Sequence, residues 1–294
     1  VPYDGHLTLA DGKGKWWEGL DPRRLDGIDL REYKGVDQAA HTGWSPPPPG
    51  IFTNHLPYAK WYATQWALRM MDVVDQYSPD FIYTDGTDQQ PFSGSGTGTG
   101  LKADAMQTVI ADFYNTTLTR RGKVDVFSIV KFHPPAKGIV STVESKYPKD
   151  LKLDQDWIGE NAAGDWFYKP GIVYSARALV LYMLEEVSRD GGYAVNIPIA
   201  PDGSIDDGAR TKLVDMGAGM KVNGEGIYGS HAWAKYGEGP LGADGKMKGL
   251  PMGALNKPQV EFRFGLGDFR FTQGKDGAVY AFALETPKAG DVVK

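Results

Sequence analysis

Apolar residues recur at three- and four-residue spacing between Tyr58 and Gln76, through Trp61, Ala67, Leu68, Met71 and Val74, and on to Tyr77. That spacing is the stripe of an amphipathic helix. Ser78-Pro79-Asp80 stops it. The next run, Phe81-Ile82-Tyr83-Thr84, is short, apolar and rich in aromatic and β-branched types, and predicts a buried strand whose carboxyl end delivers Asp85 before Gly86 turns the chain. A second helix is expected from Lys102 to Thr119, closed by Gly122, and a strand from Val124 to Val130. A loop-rich stretch then runs to Gly171. Beyond it the pattern predicts a helix from Ser175 to Arg189, a strand from Tyr193 to Ile197, and a helix over about Asp207 to Val222. Helix and strand alternate, which points to βα units around a parallel sheet that binds ligands at the carboxyl ends of its strands. From Val260 the rhythm changes. Val260 to Phe264, Phe269 to Thr272 and Ala278 to Leu284 predict short strands, with turns at Gly267-Asp268 and Asp276-Gly277, as at the start of an all-β domain.

Two segments stand apart from this rhythm. Residues 1–57 are dense in Gly, Pro and Asp and include the run Pro46 to Pro49, which breaks helices and ladders. The pair Trp16-Trp17, together with Trp44, marks this as a folded loop that lines something. Residues 93–100 read SGSGTGTG, a flexible insertion. Backbone amides in such loops cradle phosphates, but Gly100-Leu101-Lys102 lacks the Gly-Lys-Ser/Thr ending of a P-loop. No internal repeat of fixed period is present.

Composition narrows the field. A chain of 294 residues with 41% hydrophobic and 12% aromatic residues can bury a large core and is not disordered. Its 32 basic and 37 acidic residues leave a net charge of −5 with no basic run, so nucleic acid is not an expected partner. No apolar stretch has the length of a membrane span. Cysteine is absent, which excludes disulfides, thiolate metal sites and a Cys nucleophile. The five histidines show no HExxH and no close pairing, so no metal site is expected.

The chemistry concentrates on Asp85. A carboxylate at the end of a short buried strand is held by a rigid element yet opens to a pocket, which suits a nucleophile, although Asp-Gly is also an ordinary turn pair. Tyr83, two residues earlier, falls on the same side of the strand and would wall a sugar-sized pocket. A retaining glycosidase needs a second carboxyl group about 5–5.5 Å from the nucleophile. The segment 138–166 offers Glu144, Asp150, Asp154, Asp156, Glu160 and Asp165, among which acidity alone does not choose. His133 stands where the end of its strand would reach the same pocket, or is a hydrogen-bonded loop histidine. Asp85-Gly86-Thr87-Asp88 also has a pair of aspartates, but spaced by three rather than the two of haloacid-dehalogenase phosphatases. Asn115-Thr116-Thr117 matches a glycosylation sequon inside a predicted helix.

Four ordered blocks then bring out a resemblance to the α-L-fucosidases of glycoside hydrolase family 29. Tyr77-Ser78-Pro79-Asp80-Phe81-Ile82-Tyr83-Thr84-Asp85-Gly86 is similar to that family's Tyr-x-Pro-Asp-x-x-Trp-x-Asp strand, with Tyr in place of Trp. Val187-Ser188-Arg189-Asp190-Gly191-Gly192-Tyr193-Ala194-Val195-Asn196-Ile197, followed by Pro201-Asp202-Gly203, is the most specific match. Lys221-Val222-Asn223-Gly224-Glu225-Gly226-Ile227-Tyr228-Gly229 resembles the block that closes the barrel, and Phe269-Arg270-Phe271-Thr272 the strand that opens the β domain.

The resemblance implies a (β/α)8-like TIM barrel followed by the start of a C-terminal β-sandwich, with a partial barrel over 1–240 and the sandwich over 241–294. It implies a chain lacking the family's first barrel strands and stopping early in the β domain. It further implies retaining hydrolysis of terminal α-L-fucosyl residues from glycans without a cofactor. Asp85 falls on the nucleophile position and Glu144 on an acid/base position. Trp166 matches an aromatic against the fucose ring, and Lys131 lies near a basic pocket position. A secreted, periplasmic or lysosome-like location is implied as well. The alternatives are a non-catalytic sugar-binding relative and a barrel glycosidase for another sugar.

Overall fold

The computed structural model describes residues 8–15, 17–21, 56–85, 101–131, 133–134, 136–144, 147–148, 151, 154–171, 174–239 and 264–292. They belong to two compact units, one up to Lys131 and the other from position 132 onward.

In the first unit, α1 (Leu56–Tyr77) leads into β1 (Phe81–Thr84), and α2 (Leu101–Arg121) into β2 (Phe127–Val130). The strands pair in parallel, from Phe81 opposite Phe127 to Thr84 opposite Val130. The helix and strand limits agree with the sequence to within a few residues, but the buried stripe differs. Ala63, Ala67 and Val74 of α1 meet Ala105, Val109 and Phe113 of α2, with Ile82 and Val126 in the same cluster. Leu68 and Tyr77, expected in the stripe, are exposed. Alanine allows two helix backbones to approach closely, so the seam follows the small residues rather than the large ones. Ser78 takes a left-handed φ of 45°, and Arg121 fastens this turn by donating to the carbonyls of Ser78 and Pro79 and to the Asp80 carboxylate. Of the long opening loop, a 3-10 turn at Leu9–Gly12 and a buried Trp17 packed on Gly12 are described. Trp16, Trp44 and the glycine loop at 93–100 lie outside the described residues.

The second unit contains β3 (Val140–Glu144), β4 (Trp157–Ala162), α3 (Ala176–Val187), β5 (Gly192–Asn196) and α4 (Asp207–Asn223). β3, β4 and β5 run parallel and neighbour each other in that order. Ser175 and Asp206 cap α3 and α4, their side chains accepting the amides of Ala178 and Ala209. Leu179, Leu181, Tyr182 and Leu184 of α3 form the core with Tyr174, Phe264 and Leu284. β3 and β4 occupy the stretch expected to be loop.

The chain ends in an antiparallel sheet of β6 (His231–Glu238), β7 (Phe269–Gln273) and β8 (Val279–Ala283). This sheet starts ahead of the division between residues 240 and 241 expected from the sequence. Of the strand expected over Val260 to Phe264, only Phe264 is described, and it is not in a strand. The Asn223-Gly224-Glu225-Gly226 block fits against the sheet. A Cβ on Gly226 would meet Phe282 at 2.7 Å and Tyr280 at 2.9 Å. Thr272 donates its hydroxyl to the Gly226 carbonyl and Tyr280 donates to Glu225. Parallel β/α repeats followed by an antiparallel sheet make the architecture a partial (β/α) barrel followed by a β sheet of its own. Among the described residues, no helix is long and apolar enough to cross a membrane.

Candidate active site

At the carboxyl end of β1, buried and exposed residues alternate through Phe81, Ile82, Tyr83, Thr84 and Asp85. Tyr83 and Asp85 therefore share a face, as a strand of period two requires. The ladder continues one step past the strands, where the Lys131 amide donates to the Thr84 carbonyl at 2.9 Å. That bond brings the Lys131 side chain beside Asp85, with Nζ 3.5 Å from Oδ2. The lysine side chain is 13% exposed and the aspartate 63%, so the cation is set into the rim and the carboxylate stands out from it.

In the second unit, Glu144 is the last residue of β3 and lies opposite Glu160 in the register. Trp166 follows β4 on a loop tied to the end of β5. The Asn196 side chain donates to the carbonyls of Asp165 (3.2 Å) and Trp166 (3.1 Å), and the Asn196 carbonyl accepts the Ala163 amide (3.0 Å). Asp165 is buried and accepts the amides of Trp166 and Phe167. Lys169, 2.9 Å away, and those amides hold its carboxyl below the usual carboxylate range. His133 is partly buried, its Nδ1 close to the Pro134 carbonyl, while its own carbonyl accepts from Ser141. Asp85, Tyr83 and Lys131 thus belong to the first unit, and His133, Glu144 and Trp166 to the second.

Beneath β4 lies a polar cluster that sequence reading did not single out. Gly159 has no side chain, and Glu186 of α3 fills the space: a Cβ there would stand 2.1 Å from the glutamate Cδ. Glu186 is fully buried and accepts from Asn161. Its other oxygen has no hydrogen-bond partner among the described residues. Burial, followed by the nearby Glu160 and Glu185 charges, pushes its carboxyl well above the ordinary value despite Asn161 and Arg189. Burial also pushes the Tyr147 and Tyr193 hydroxyls up. Glu185, the preceding residue, is solved differently. It bridges two buried guanidiniums, those of Arg189 and Arg270, and Arg189 in turn lies 4.0 Å over the Tyr236 ring. The link from Glu185 to Arg270 joins α3 to β7. No group of three or more His, Asp or Glu side chains among the described residues could hold a metal ion.

Parallel β/α units with acidic and aromatic residues at their strand ends, followed by an antiparallel sheet, place the chain in the class of (β/α)-barrel proteins. The family model described as Alpha-L-fucosidase matches residues 30–225, well over half of the chain, and the chain belongs to that family. Plasma alpha-L-fucosidase of Pongo abelii is 27% identical over 177 residues, covering 56% of this chain and 35% of the relative. The plasma alpha-L-fucosidase of Homo sapiens is 28% identical over 177 residues, covering 56% and 34%. The chain therefore spans about a third of the length of these curated relatives. Among solved structures, an alpha-L-fucosidase matches with a TM-score of 0.56 at 21% identity, over 79% of this chain and 44% of that one. A Thermotoga maritima alpha-fucosidase in complex with a mechanism based inhibitor matches with a TM-score of 0.51 at 19% identity, over 74% and 42%. These two share the fold.

Proposed function

We propose that the protein hydrolyses terminal α-L-fucosyl residues of glycans by double displacement, with retention at the anomeric carbon. The observation that carries this reading is Asp85: in the family's strand block, at the carboxyl end of β1, on the face of Tyr83 and 3.5 Å from Lys131. An Asp85 oxygen attacks C1 of the fucosyl group and forms an ester as the C1–O bond to the aglycone breaks. Glu144 gives its proton to the departing oxygen. It then takes one from water, whose oxygen attacks C1 and releases Asp85 as carboxylate. Lys131 supplies a positive charge beside the nucleophile in both states. Tyr83 and Trp166 offer apolar faces to the ring and methyl group of the deoxy sugar, and His133 is the remaining polar contact. The parallel β/α region ahead of β6 is the catalytic barrel region, and the sheet that β6 opens belongs to the β domain. The two relatives are plasma proteins by name, which supports a secreted location.

A 2-fluoro-fucosyl inactivator tests the assignment. The label is expected on the peptide containing Asp85, and stoichiometric labelling of another carboxylate would refute it.

A further inference from the structure

Phe167 follows Trp166 on the loop after β4 and is the more exposed of the two, at 72%. A single apolar ring at a protein surface is ordinary, but one carried on a pinned backbone is less so. The peptide group that leads into it is fixed on both edges. The Phe167 amide donates to Asp165 at 3.4 Å, and the Trp166 carbonyl, across the same peptide bond, accepts from Asn196 at 3.1 Å. Asp165 is in turn locked by Lys169 at 2.9 Å, and the loop is closed where the Tyr174 amide donates to the Ala163 carbonyl at 2.7 Å. The anchors come from β5 and from the loop itself, so a ligand need not order this backbone, and ordering cost is what usually limits affinity at a loop. The position also matters. The loop leaves the carboxyl end of β4, the strand beside β3, and β3 ends in Glu144, the residue assigned to the leaving oxygen.

We propose that Phe167 is the platform for the aglycone: the apolar face of the sugar or aryl group on the leaving side of the scissile bond stacks on its ring, while Trp166 serves the fucosyl group. This rests on the fucosidase reading. Phe167 thereby sets the preference among fucosides without touching the reacting carbon, and flat aglycones gain more from it than small or strongly branched ones.

Titration calorimetry with the whole protein separates the two readings. L-fucose and a thio-linked fucosyl disaccharide, which is not cleaved, are compared on the unaltered protein and on Phe167→Ala and Phe167→Tyr. Fucose affinity should stay within about twofold in all three, while the extra affinity of the disaccharide should fall about fivefold in Phe167→Ala and persist in Phe167→Tyr. A disaccharide advantage that survives Phe167→Ala overturns the platform but leaves the fucosidase reading intact. So does the lack of any disaccharide advantage in the unaltered protein. Failure of the unaltered protein to bind fucose overturns both. An unchanged melting temperature in Phe167→Ala, expected for so exposed a side chain, keeps the comparison free of folding effects.

Discussion

Asp85 and Glu186 are both carboxylates next to parallel strands, yet their surroundings differ as far as two acids can. The Asp85 side chain is 63% exposed, rests beside a lysine and keeps its hydration. Glu186 is fully buried and has Asn161 as its hydrogen-bond donor. A buried carboxylate costs several kcal/mol of lost solvation unless it is paired or takes up a proton. Glu185 follows the first route with its two arginines, and burial pushes Glu186 toward the second. Charge is thus presented at the strand ends and neutralised inside, and the neighbouring residues at 185 and 186 show that the choice is made atom by atom.

The largest break in this contrast is expected from Arg270→Ala, which leaves Glu185 buried with one guanidinium. Unfolding by urea should show a loss of about 4 kcal/mol, and a loss under about 1 kcal/mol would mean that the network is slack. Next comes Gly159→Ala, whose methyl group collides with the Glu186 carboxyl. It should cost about 3 kcal/mol, and much less when Glu186→Ala is present as well.

A smaller effect, but a sharper one, lies in the pH dependence of stability. The folded pKa of Glu186 is raised, so above about pH 4.3 the unfolded chain releases this proton while the folded chain keeps it. The contribution is complete below that pH and declines as pH rises, until the folded group itself ionises. Glu186→Gln removes the decline, and urea midpoints of the two proteins should diverge with increasing pH. Parallel midpoints would show that Glu186 does not carry the proton. The smallest change in stability is expected from Lys131→Met, under about 1 kcal/mol, because the Asp85 end of the ion pair is solvated and Met keeps the apolar stem packed. Its kcat on an aryl fucoside should nonetheless fall at least tenfold, since charge beside the nucleophile is felt in the transition state. Unchanged kcat would remove Lys131 from the active site.

The same contrast explains what was legible in the sequence. α1 announces itself by apolar periodicity, α2 by the glycine that closes it, and β1 by an uninterrupted Phe-Ile-Tyr-Thr run that ends on Asp85. β3, β4 and β6 do not. Trp157-Ile158-Gly159-Glu160-Asn161-Ala162 reads as loop because it buries Glu160 and Asn161 and leaves Gly159 bare for Glu186. Val140-Ser141-Thr142-Val143-Glu144 hides its strand behind hydroxyls, and His231 to Glu238 mixes Lys, Tyr and Gly across a register shift. A strand whose inner face is polar lacks the signal on which pattern reading depends. Asn196 was visible only as part of a family block. Its grip on the Trp166 loop joins residues 31 and 30 positions apart, and no local spacing reports that.

The order in which Glu185 acquires its partners has a consequence for synthesis on the ribosome. Arg189 lies four residues on and emerges almost at once, whereas Arg270 is 85 residues away. A nascent α3 can therefore hold its acid against a local cation while the parallel strands assemble. The second guanidinium then arrives with β7 and locks a helix whose charge is already half answered.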